Sequence, residues 1–82
     1  MWNDRLRIAE RVENDWRSLS AEERTLVLGA LERIDEDPIS GVPLFDPLRG
    51  MWSFRVEHLR VLYRIVAEAR FVVILSIGRA AT

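Results

Sequence analysis

The sequence predicts an α+β domain in which an N-terminal antiparallel helical hairpin packs on a three-stranded antiparallel sheet. Three observations predict it. Residues 51–56, 59–67 and 71–77 are apolar runs rich in Val, Ile, Phe, Trp and Tyr, separated only by Glu57–His58 and Glu68–Arg70; such runs with such short breaks read as consecutive strands. The first half of the chain instead spaces its apolar residues by three and four, the period of a helix. Between the halves, residues 38–50 hold three prolines and two glycines and cannot continue either pattern. Helices followed by an antiparallel sheet form two layers, with one sheet face covered and the other open.

Each element follows from its residues. Ile8, Val12, Trp16 and Leu19 fall on one face of a helix over residues 4–18, with Asn3 or Asp4 available as its cap. Ser20-Ala21-Glu22-Glu23 is a capping box: the Ser20 hydroxyl accepts from the Glu23 N–H, and the Glu23 carboxylate reaches back to the Ser20 N–H. It opens a second helix from Ala21 to Glu36, with Val27, Ala30, Leu31 and Ile34 as its apolar stripe, and Pro38 stops it. Leu44 and Phe45, in the loop, are expected to enter the core, and Gly50 to open the first strand. The last strand is apolar on both sides, with Phe71, Val73, Leu75 and Ile77 on one and Val72, Ile74 and Ser76 on the other. That pattern suits a central strand.

Eighty-two residues make one domain, 1–82. With no cysteine there is neither a disulfide framework nor a thiolate nucleophile. The single histidine has no carboxylate at metal-binding spacing, and no glycine-rich phosphate loop occurs, so neither metal nor cofactor is expected. No apolar run reaches a membrane span, and the charged N-terminus does not resemble a signal peptide, so the expected location is the cytoplasm and no membrane partner is expected.

The net charge is −1, but its distribution is uneven. Residues 1–37 carry six Arg against ten Asp and Glu, whereas residues 38–82 carry six Arg against three. All the basic residues are arginine. Arginine stays protonated and clamps phosphate or carboxylate, but serves poorly as a base.

Strand parity shows where these charges go. A hairpin turning at Glu57–His58 sets Arg55 opposite Arg60, Phe54 opposite Val61 and Trp52 opposite Tyr63. Trp52, Phe54, Val56, Leu59, Val61, Tyr63 and Ile65 then share a core face, while Met51, Ser53, Arg55, Arg60, Leu62 and Arg64 share the other. Like charges directly opposite each other destabilise a strand pair. The arginines read either as solvated or acid-paired strand residues, or as a polyanion-binding group that Arg79 joins from the last strand. His58 reads either as an exposed turn residue or as a proton shuttle beside that group.

The string L-R-G-x-W-x-F-R-V-x-x-L-R-V-L-Y-R-I over residues 48–65, followed by V-V-I-L-S-I-G-R over 72–79, resembles the RelE/ParE toxin superfamily of bacterial type II toxin–antitoxin systems. The resemblance runs from about Asp37 to Arg79. It implies a small toxin bound and neutralised by a cognate antitoxin. In the RelE branch the target is mRNA on the ribosome, cleaved as a ribose 2′-OH attacks the adjacent phosphate. On that branch Arg55, Arg60, Arg79 and His58 would be catalytic, and Arg64 and Ser53 would contact substrate. The ParE branch instead inhibits DNA gyrase, and a catalytically inactive member would only bind its antitoxin. Met51 and Ser53 stand where RelE-type enzymes carry lysines, and Ala80 where they carry an arginine. The superfamily's first strand is expected to be missing here, leaving a sheet edge for an antitoxin strand or for a second copy in a homodimer.

Overall fold

The computed structural model describes residues 5–80, and the proposed caps Asn3 and Asp4 lie outside them. The strands are β1 (Leu6–Ile8), β2 (Val42–Pro43), β3 (Met51–Val56), β4 (Leu59–Val66) and β5 (Phe71–Arg79); the helices are α1 (Val12–Arg17) and α2 (Ala21–Glu36). The strands form one sheet in the order β1-β5-β4-β3-β2, with β1 parallel to β5 and the other neighbours antiparallel. Two helices on one face of a sheet is the architecture the sequence implies.

The strand count differs from the expectation, and so does the first element. The first strand is present. Residues 6–8 extend along β5, held by Val72 N–H to the Arg5 carbonyl (2.7 Å) and Ala9 N–H to the Ile74 carbonyl (2.9 Å). Helical spacing from Ile8 onward is real but starts to matter only at Val12. Upstream of it, the hydrogen-bonding edge of a strand more than sixty residues away outweighs local preference. At the far side of the sheet, Val42 and Pro43 add a two-residue strand beside Ser53 and Trp52.

The second helix has the predicted bounds and the complete capping box. Its stripe of Val27, Ala30, Leu31 and Ile34 packs on Leu59, Val61 and Tyr63 of β4 and on Val72, Ile74 and Ile77 of β5, with Val12 and Leu19 closing the core. Trp52 stacks on Tyr63 at 6.3 Å between ring centroids. Leu44 is half-buried, but Phe45 is 81% exposed and takes no part in the core. Its loop bends away at a run of turns that local apolarity cannot pull inward. Gly50 does precede β3, at φ +94°, a conformation that side chains disfavour.

β5 is an interior strand, paired with β1 on one side and β4 on the other, although β4 and not β5 lies at the middle of the sheet. The two faces of β5 do not follow simple alternation. Leu62 pairs with Ser76 and Tyr63 with Ile74, so Leu75 is an extra residue in a β-bulge. The bulge shifts the phase by one residue, and Val72, Ile74 and Ile77 are all buried together.

Candidate functional site

The hairpin register is the one parity predicts. Arg55 faces Arg60, Ser53 faces Leu62 and Met51 faces Arg64, all on the face without helices. The two-residue turn Glu57–His58 fixes this register, with Glu57 at φ 56°. Arg60 lies beside Gly78 of β5 and Arg64 beside Val73. Along β4 the two arginine positions are about 13 Å apart, four residues at strand rise. All three guanidinium side chains belong to exposed residues.

Arg55 and Arg64 have local contacts that do not neutralise them. Arg55 Nε donates to the Glu57 carbonyl at 3.3 Å. Arg64 lies over Gly50, where an added Cβ would sit 3.0 Å from its Nη1. Among the described residues, no carboxylate lies within ion-pair distance of Arg55, Arg60 or Arg64. Guanidinium groups are planar forked donors whose geometry matches a phosphate.

The other two predicted residues sit elsewhere. Arg79 pairs with Leu59, a core-face residue, and its Nη2 donates to both oxygens of Glu23, at 3.1 and 3.3 Å. The bulge explains this placement. In a regular strand Arg79 would share a face with Val73 and so with Arg64; one extra residue turns it to the helix side. His58 occupies the turn as expected, but its Nε2 lies 2.6 Å from Glu23 Oε2, also on the helix side. The arginine group therefore comprises Arg55, Arg60 and Arg64, with Ser53 between Arg55 and Met51 on β3, and excludes Arg79 and His58.

Glu23 is the residue whose second role the sequence conceals. Its backbone and carboxylate complete the capping box with Ser20, and the same carboxylate gathers His58 and Arg79. Its pKa is lowered to about 2, first by the Ser20 N–H, then by His58 and by the charge of Arg79. The capping box is visible in the sequence; the two long-range partners leave no local signal. Arg7 was also hidden, because residues 4–18 fit a helix. In β1 it faces Val73 on the open side, with its guanidinium carbon 5.2 Å from the Phe71 ring centre. The alternation of Leu6 and Ile8 with Arg5 and Arg7 is the signal that could have found it.

Among the described residues no cluster of three or more His, Asp or Glu is placed to hold a metal ion, and no helix is long and apolar enough to cross a membrane. The model of the family described as the ParE toxin of the type II toxin–antitoxin system parDE matches residues 2–82.

The chain is a type II toxin of the RelE/ParE superfamily. The toxin–antitoxin complex RelBE2 from Mycobacterium tuberculosis contains a similar chain, 30% identical, with a TM-score of 0.83 over 90% of this chain and 94% of that one. The isolated RelE toxin of E. coli has a TM-score of 0.77 at 22% identity, over 94% of this chain and 84% of that one. The intact E. coli RelBE complex has 0.78 at 22%, over 94% and 96%. These last two likenesses bear on the fold, in which the superfamily's first strand is accounted for by β1. No curated protein matches the chain.

Proposed function

We propose that this toxin acts on translation, with its open sheet face laid on mRNA at the ribosome in the cytoplasm. The observation that carries this reading is the grouping of Arg55, Arg60 and Arg64 on one exposed face with no carboxylate partner among the described residues. Guanidinium forks match phosphate geometry, and charge building up on a phosphate during 2′-OH attack would be stabilised by the same groups. Proton transfer is a separate requirement, worth about 10²–10⁴ in rate. The imidazole of His58 is held by Glu23 on the opposite side, so the face favours binding over unaided cleavage. Ser53 and Arg64 would contact the bound strand. By analogy with the complexes of the M. tuberculosis and E. coli relatives, the partner that silences the toxin would be a cognate antitoxin.

A translation reaction assembled from purified components tests the reading. Added toxin should stop synthesis, and primer extension on the mRNA then separates cleavage, seen as new ends, from occupation, seen as arrest without them. The second reading, inhibition of DNA gyrase without catalysis, is favoured by the match to the ParE model and by Met51 and Ser53 in the lysine positions. Supercoiling inhibited while translation proceeds would replace the first reading with the second.

A further inference from the structure

The open face carries an uncharged strip between its two arginine rows. Val42 pairs with Ser53, Ser53 with Leu62 and Leu62 with Ser76, so these residues stand side by side across β2, β3, β4 and β5. At strand spacing the strip is about 14 Å long. Arg55 and Arg60 lie about 7 Å to one side of it and Arg64 about 7 Å to the other, two residues along the strand in each direction. Val42 is 63% exposed, and Ser53, Leu62 and Ser76 are half-buried. Among the described residues neither the Ser53 nor the Ser76 hydroxyl makes a hydrogen bond, which leaves both able to donate and accept. Beside Arg60, Gly78 adds no side chain that would cover the guanidinium. Alternating apolar and hydroxyl-bearing side chains suit a plate that is apolar on its faces and polar at its edges. A nucleobase is such a plate, and a single strand presents it unpaired.

We propose that this strip seats the bases of a single-stranded RNA, with Leu62 under a base and the Ser53 and Ser76 hydroxyls at its edges, while the flanking phosphates lie on Arg55 and Arg60 and on Arg64. The assignment rests on the reading that the open face binds RNA, and adds what that face recognises besides charge. The arginines alone hold any polyanion; the strip contributes affinity only where a base covers it. Ser53, Leu62 and Ser76 are thereby specificity-determining residues, and Arg55, Arg60 and Arg64 set the salt dependence.

The experiment is an anisotropy titration of the full-length protein with two labelled strands of equal length and charge, a twelve-nucleotide RNA and the same ribose–phosphate chain without bases. Wild type should bind the RNA about tenfold more tightly, the scale of one net hydrogen bond. Leu62→Ala should remove most of that difference by weakening RNA alone, and Ser53→Ala combined with Ser76→Ala should likewise weaken RNA and spare the bare chain. Neither change should alter the slope of log affinity against log salt, whereas Arg60→Ala should reduce it by about 0.7, one phosphate contact on a single strand. Thermal melts of each variant report folding, and the wild-type comparison of the two strands stands without any variant. Equal wild-type affinity for the two strands, or variants of the strip that shift both strands alike, overturns the base seat and leaves the face reading intact. No binding of either strand by the wild-type chain at low salt overturns both.

Discussion

The Asp15 carboxylate of α1 accepts a hydrogen bond from the backbone N–H of Ile77 at 3.0 Å. That N–H lies just beyond the bulge at Leu75, where the ladder with β4 is interrupted. A side chain from a helix thus satisfies a backbone donor of β5 beyond Ile74, where pairing with β1 has ended. Asp15→Ala should cost about 1–3 kcal/mol, the penalty of an unsatisfied buried donor. Asp15→Asn keeps an acceptor oxygen and should cost less. Urea unfolding midpoints measure both, and equal losses would mean that the charge beside Arg11, 3.7 Å away, matters more than the bond to Ile77.

Tyr63 makes a comparable link between the sheet and the loop after α2. Its hydroxyl donates to the Pro38 carbonyl at 2.6 Å and accepts from the Gly41 N–H at 3.1 Å. Burial raises its pKa, which keeps the phenol neutral and able to donate. Tyr63→Phe should lower stability by about 1–3 kcal/mol, since both backbone groups lose their partner. Gly41→Ala should be worse. An added Cβ would lie 2.5 Å from the Tyr63 hydroxyl oxygen and 2.7 Å from the Ser53 carbonyl oxygen, one of them backbone that cannot step aside. Thermal unfolding of the two variants checks the ranking; a Gly41→Ala protein as stable as wild type would show that the loop can move off the sheet.

These two links mark the limit of what the residues disclosed on their own. The β3–β4 hairpin was legible because a two-residue turn and a period of two leave one register, which fixes Arg55 against Arg60. α2 was legible because its capping box, stripe and terminating proline agree. β1 was not, since Ile8, Val12, Trp16 and Leu19 suit a helix and only the distant edge of β5 decides otherwise. The bulge was not either: no glycine or proline marks Leu75. One unmarked residue was enough to send Arg79 to the wrong face.

Acid should test the Glu23 cluster. The carboxylate pKa falls from 4.5 to about 2 on folding, so its contribution is complete above pH 4.5 and disappears as pH drops towards 2. Over that window the wild-type urea midpoint should fall with decreasing pH. Glu23→Gln keeps the capping geometry but removes the titration, so its midpoint should be lower at neutral pH and should fall less on acidification. Parallel curves for the two proteins would remove Glu23 as a source of the acid sensitivity.

Arg60→Ala and Arg79→Ala should separate binding from folding. Arg60 is exposed and has no carboxylate partner among the described residues, so its loss should change stability by no more than about 0.5 kcal/mol. Inhibition of translation should weaken by about tenfold or more, the worth of a charge-assisted hydrogen bond to phosphate. Arg79 is bonded to Glu23 on the helix side, and its truncation should lower stability by about 0.2–1 kcal/mol, the range for a solvent-accessible ion pair, while inhibition stays near wild type. The contrast follows from the bulge: Arg79 and Arg60 lie one position apart across the β4–β5 pair, and project to opposite faces. A folded Arg79→Ala protein that no longer arrests translation would place the working surface at the Glu23 corner and not on the open sheet.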